Sequence, residues 1–193
     1  MSAVSRALDE LRAFEAPTPE QAGLRKDYVR HLQDHPDGLL RSCLPDHLTS
    51  GSVVLSPDLD AVLLNLHRKA GRWFHFGGHL EPGDGSLWEA ARRETAEESG
   101  LRELVVHPGP VHLSRHQVPF CTPPQRVDHL DVRFVAVGRR GSELVSEESL
   151  DLRWWPLDDL PELEDEMHEL IQLARDRLRT TQSSSPSSLA PAE

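Results

Sequence analysis

Residues 77–101 read Gly77-Gly78-His79-Leu80-Glu81-Pro82-Gly83-Asp84-Gly85-Ser86-Leu87-Trp88-Glu89-Ala90-Ala91-Arg92-Arg93-Glu94-Thr95-Ala96-Glu97-Glu98-Ser99-Gly100-Leu101. Four glycines and a proline within 77–85 argue against regular structure and predict a tight loop. Ser86 followed by Glu89 forms a capping box, so a helix is expected to start there. Gly100 suits its C-terminal end, where a left-handed residue closes the last turn. Leu87, Ala91 and Thr95 fall on one stripe, and the small pair Ala90-Ala91 permits close approach to a sheet.

That helix carries Glu94, Glu97 and Glu98 at spacings of three and four, which places the carboxylates on one surface. Three negative charges so close repel one another unless a cation lies between them, and clustered hard oxygens suit Mg²⁺ or Mn²⁺. Arg93 lies one turn before Glu97 and is placed to pair with it. A backbone carbonyl of the Gly77-Gly78 loop is a further oxygen donor within the same segment. Charge spacing alone is also met by a solvated helix face. The glycine loop feeding an acidic helix is what favours a metal cradle.

The segment resembles the Nudix box: a glycine, five residues, a glutamate, seven residues, then Arg-Glu-apolar-x-Glu-Glu-x-Gly-apolar. Gly78 matches the opening glycine and Arg93 to Leu101 match the close. Asp84 stands where glutamate is usual, eight residues rather than seven separate it from Arg93, and Thr95 replaces an aliphatic residue. The extra residue is expected at the loop-to-helix junction around Gly85, because the helix must keep its register. The resemblance implies an α/β fold, a Nudix-like α/β/α sandwich with a mixed sheet. It also implies Mg²⁺- or Mn²⁺-dependent hydrolysis of a pyrophosphate bond in a small nucleoside diphosphate-linked substrate. By position, Glu94, Glu97, Glu98 and the Gly77 carbonyl correspond to metal ligands, and Arg93 to an orienting arginine. The base that takes the proton of the attacking water is Glu94 or Glu97, with Glu147 and Glu148 as distal alternatives. Two other readings stay open: a nucleotide-sensing module without turnover, and an isomerase acting on a prenyl diphosphate.

Upstream, Val4, Leu8, Leu11 and Phe14 recur at helical spacing, and Thr18-Pro19-Glu20-Gln21 reads as a second helix start with Gln21 completing a capping box. Residues 1–45 are therefore expected to form a helical extension, an accessory layer or a homodimer contact. The hydrolase-like domain is expected over 46–180. Strands are predicted at 51–55 and 61–66, joined by a turn at Ser56-Pro57-Asp58, then at 73–76, 111–118, 129–137 and 150–155. In 129–137, Leu130, Val132, Phe134 and Ala136 point to one side and His129, Asp131 and Arg133 to the other. A last helix is expected from Pro161, with Leu163, Met167, Leu170, Ile171, Ala174 and Leu178 on one face. Residues 181–193, rich in Ser, Thr and Pro, are expected to be disordered.

The net charge of −11 offers no electrostatic footprint for nucleic acid or an anionic membrane. An anionic substrate would need a local cation. The two cysteines, Cys43 and Cys121, form no CxxC and no disulfide framework. No stretch approaches a signal peptide or membrane span, so a cytoplasmic location is expected. His112 and His116 on one strand, with His129, Asp131 and Arg133 on the next, suit a substrate-contact or second metal cluster, or simply a polar strand face. Arg68, Lys69 and Arg72 suit distal phosphate or a solvated turn. Trp73, Phe74 and Phe76 suit a stacking platform or core packing.

Overall fold

The computed structural model describes residues 1–118 and 127–183. Cys121 and residues 184–193, most of the expected tail, lie outside the described residues. Among the described residues the chain is built on one mixed sheet of eight strands. These are β1 (Asp46–Leu55), β2 (Ala61–His67), β3 (Arg72–Phe74), β4 (Phe76–His79), β5 (Leu104–Val106), β6 (His112–Val118), β7 (Val127–Gly138) and β8 (Ser149–Pro156). The helices are α1 (Ala3–Ala13), α2 (Pro19–Asp34), α3 (Leu87–Ser99) and α4 (Asp165–Ser183).

The long parallel pair β1–β7 is the spine, in register from Asp46 opposite Asp128 to Leu55 opposite Val137. Its neighbours β2, β4, β5 and β6 add antiparallel. Because strand residues alternate between faces, the spine serves two cores. Leu48, Val54, Leu130, Val132, Phe134 and Ala136 pack with α1, α2 and α3. Val53, Leu55 and Val135 pack with Met167, Leu170, Ile171 and Ala174 of α4. The expected alternation along β7 is met, and the layers are helix, sheet, helix, as expected for this α/β class.

α1 and α2 are bonded into the first layer. Ala7, Leu11, Phe14, Tyr28 and Leu32 are buried in the same core as α3. The Glu10 carboxylate accepts from the Leu87 and Trp88 amides at 2.9 and 3.1 Å, so α1 caps the N-terminus of α3. Tyr28 Oη donates to the Ser114 carbonyl at 2.6 Å. The apolar faces of these helices are thus covered within the chain.

Several local expectations are corrected. Gln21 does not complete a capping box; Thr18 caps α2, while the buried Gln21 amide bonds both the carbonyl and the N–H of Leu113. Gly77 and Gly78 are not loop but part of β4, opposite Gly51 and Ser50 of β1. The reason is steric: a Cβ on Gly51 would lie 2.1 Å from the Phe76 carbonyl oxygen, so this crossing needs glycine on both strands. The expected strand 73–76 divides at His75 into β3 and β4. β5 was not foreseen. The last helix starts at Asp165 rather than Pro161 and runs through residues 181–183 to Ser183. Among the described residues no helix is long and apolar enough to cross a membrane.

Candidate active site

α3 begins and ends as its sequence dictates. Ser86 Oγ accepts from the Glu89 amide at 3.1 Å, and Glu89 Oε2 accepts from the Gly85 amide at 2.7 Å. Gly100 closes the helix in the left-handed region, φ +67°, with a Leu144 neighbour that leaves no room for a Cβ. Leu87, Ala90, Ala91 and Thr95 face the sheet. Thr95, the departure from an aliphatic residue, is fully buried yet satisfied, bonding the Ala91 carbonyl and Ser52 Oγ, each at 2.6 Å.

The remaining face carries the functional side chains, and they are ordered by Arg93. Its Nε and Nη2 reach Asp84 at 3.1 and 2.8 Å, and Nη2 also reaches the His79 carbonyl at 3.0 Å. Its Nη1 reaches Glu94 at 3.0 Å and Glu97 at 3.2 Å. With five contacts for five N–H donors, the guanidinium is spent on holding its neighbours. Arg93 is thus a positioning residue. Asp84, noticed in the sequence only as a departure, is its main anchor. Burial pushes the Asp84 carboxyl up, but the bonds from Arg93 and the Glu81 amide outweigh it and leave it below the usual range.

The three glutamates differ in environment. Glu97 is exposed, Glu94 half-buried and Glu98 buried. Glu98 Oε2 accepts from the Gly77 amide at 3.1 Å. Burial pushes the Glu98 carboxyl to about 8, the Gly77 bond opposing and Glu94 and Glu148 adding to the rise. Glu94 is raised by burial, against the pull of Arg93. It packs so closely on β4 that a Cβ on Gly78 would fall 2.7 Å from its Oε1. The oxygens do not form a closed cluster. Among the described residues, the groups of three or more metal-type side chains with ligand atoms within 4.8 Å are His47–His79–His129 and His35–Asp37–Cys43. Arg93 Nη1 bridges Glu94 and Glu97.

Gly77 and Gly78 also line a cavity of about 280 Å³. Two residues without side chains are therefore what separates Glu94 and Glu98 from that cavity. Its floor is polar. Asp131 Oδ1 accepts from Thr49 Oγ1 at 2.9 Å, and Oδ2 from His75 Nε2 at 3.2 Å and Arg133 Nε at 2.8 Å. Burial disfavours the Asp131 charge, but these partners hold its carboxyl well below the usual range. Arg133 pairs also with Glu166 at 3.2 Å. The same burial lowers the imidazole of His129 to about 3 and that of His79 to about 4.

The sequence-predicted contacts divide accordingly. His116, His129, Asp131 and Arg133 line the cavity. His112 does not; it is buried beside Arg133 and Glu169 of α4, its imidazole lowered to about 4 by burial. Arg68 bonds the carbonyls of Glu147 and Ser149 at 2.9 and 3.0 Å, so it clamps the turn before β8. Lys69 and Phe74 line the cavity, whereas Phe76 is core and Trp73 stacks edge-on against Trp155 at 5.4 Å. Arg72 pairs with Glu164. Of the two distal acids, only Glu148 lines the cavity, and its charge reaches Glu94 and Glu98. Sequence reading missed His47, His75 and His79. Their signal was available only as strand parity once the β1–β4 and β1–β7 registers were known.

The model of the NUDIX domain matches residues 45–174. This chain belongs to the Nudix family. By that membership it is a Nudix-type pyrophosphohydrolase. Solved Nudix structures share its fold. A Nudix-family hydrolase from Clostridium perfringens aligns at 23% identity and TM-score 0.54, covering 72% of this chain and 99% of that one. An Ap4A hydrolase from C. elegans aligns at 21% identity and TM-score 0.52, covering 69% and 98%. An ADP-ribose pyrophosphatase from Streptococcus suis aligns at 20% identity and TM-score 0.50, covering 68% and 91%. No curated protein matches the chain.

Proposed function

We propose that this Nudix protein hydrolyses a phosphoanhydride bond in a small nucleoside diphosphate-linked substrate, using Mg²⁺ or Mn²⁺. The observation that carries the reading is the pairing of α3 with β4. Glu94 and Glu98 lie directly against Gly78 and Gly77, and those glycines line the cavity. The donor set fits a hard divalent cation: Glu94, Glu97 and Glu98 offer carboxylate oxygens, and the Gly77 carbonyl another. Glu98, buried with its carboxyl raised to about 8, is a group whose charge a cation would stabilise.

A divalent ion held by Glu94, Glu97, Glu98 and the Gly77 carbonyl would supply charge neutralisation for the phosphates and would lower the pKa of water. The protein's own groups do the rest. Arg93 bonds Glu94 and Glu97 and so limits the rotamers their carboxylates sample. Attack forms a new P–O bond from water and breaks the bridging P–O bond; a carboxylate takes the water's proton. Glu94 or Glu97 is the candidate base on the helix. Glu148, on the cavity wall, is the distal base in preference to Glu147. The substrates named for the relatives, Ap4A and ADP-ribose, define the class to test first.

The test is turnover with Mg²⁺ or Mn²⁺ against dinucleoside polyphosphates, ADP-ribose, sugar nucleotides and nucleoside triphosphates, scoring every product. Glu97→Gln is expected to abolish turnover with the fold intact. Glu148→Gln is expected to slow turnover far more than Glu147→Gln. Ligand-induced stabilisation without turnover of any compound would replace the hydrolase reading with a sensor.

A further inference from the structure

Four adjacent strands place a histidine at one level of the sheet. His116 of β6 faces His129 of β7, and His129 faces His47 of β1. On the other side of β1, His79 of β4 lies opposite Thr49, two residues along from His47 and on the same face. Strand parity puts this row on the α4 side of the sheet, away from the packed face of α3. Three of the rings converge: the centroids of His47, His79 and His129 lie 4.9 to 5.1 Å apart. Their ligand nitrogens lie within 4.8 Å of one another.

From this geometry we infer that His47, His79 and His129 form a binding site for an imidazole-preferring transition-metal ion of the Zn²⁺ class. One pair of nitrogens is close to the required spacing, and the third lies within 4.8 Å of both. His47 Nε2 and His79 Nε2 are 3.1 Å apart. Two nitrogens on a tetrahedral zinc, each about 2.05 Å from the metal, stand about 3.3 Å apart. The tautomer is set from behind: His47 Nδ1 contacts the Cys43 carbonyl at 3.1 Å. A carbonyl only accepts, so Nδ1 carries the proton and Nε2 presents its lone pair toward the site, the usual support for a metal-bound imidazole. His129 Nε2 is buried with no hydrogen-bond partner, which asks for an explanation. An ion there provides one.

Of the charges reaching His79, Asp131 favours a cation and Arg41 opposes it; Asp131 also favours one at His129. His79 and His129 line the cavity, so the cluster borders it. The ligands are nitrogen, whereas the α3 donors are oxygen, so the two sites select different metals. The inference does not depend on hydrolysis, and its failure would leave the proposed activity standing.

The test is Co²⁺ titration of the full chain in excess Mg²⁺, which occupies oxygen sites, read by visible absorption, with Zn²⁺ competition by calorimetry. The expected result is one equivalent of Co²⁺ with intense tetrahedral bands, displaced by Zn²⁺. His129→Ala and His47→Ala are each expected to weaken binding by at least about a hundredfold, with circular dichroism and melting confirming the fold. His129→Cys is expected to restore binding and add a thiolate-to-cobalt charge-transfer band. Absence of tetrahedral bands overturns the inference. So does binding that survives His129→Ala and is lost in Cys43→Ser, which would place the ion at His35–Asp37–Cys43.

Discussion

Replacing Arg93 by Met removes the guanidinium while keeping much of the side-chain volume. The main casualty is Asp84, whose side chain is 6% exposed against 21% for Arg93 and which would keep a buried charge without its partner. Breaking a buried pair costs about 3–5 kcal/mol, and the partial exposure of Arg93 reduces this to about 2–4 kcal/mol. For a domain of this length each kcal/mol shifts Tm by about 2–4 °C, so the loss is about 4–16 °C. A double-mutant cycle with Asp84→Asn isolates the pair. Each single variant is expected to be destabilised, and the double variant less so than the sum, by at least about 1 kcal/mol. The readout is denaturant unfolding of the metal-free protein near neutral pH. The Asp84 carboxyl lies below its usual value, so its contribution is present above that value and is lost as pH falls through the folded pKa. Additivity of the two substitutions to within about 0.3 kcal/mol would show that Arg93 and Asp84 are not coupled, and would remove the proposed role of Arg93.

Gly51→Ala is expected to prevent the β1–β4 pairing, because the new methyl meets backbone rather than a flexible side chain; a soluble protein with wild-type Tm would contradict the crossing. Glu10→Ala removes the acceptor for the first amides of α3, and unfolding experiments should show a loss of about 0.5–2 kcal/mol. Glu98 is raised to about 8 in the metal-free chain, above its ordinary 4.5. Its contribution to metal-free stability is therefore fully present below its unfolded pKa and is lost as pH rises through the folded value. A cation needs the carboxylate, so calorimetric Mg²⁺ affinity should rise with pH, approaching about tenfold per unit below the folded pKa, and level off above it. Glu98→Gln should flatten that slope.

The sequence by itself determined what depends on short-range order. The Ser86 cap, the Gly100 stop and the Leu87–Ala91–Thr95 stripe follow from a 3.6-residue period and from capping chemistry, and they appear as read. The alternation along β7 was legible for the same reason, since its period is two. Only tertiary structure decided the rest. That Gly77 and Gly78 belong to a strand depends on Gly51, which is distant in sequence. That Arg68 grips the Glu147–Ser149 turn, and that Glu148 rather than Glu147 faces the cavity, depends on how the β2 end meets the start of β8. His47, His79 and His129 converge because β1 lies between β4 and β7 at one particular register, and a shift of one residue would turn a strand's side chains to the other face. Local chemistry acts over a few residues and can be read along the chain; register is a relation between distant segments, fixed only when their side chains pack.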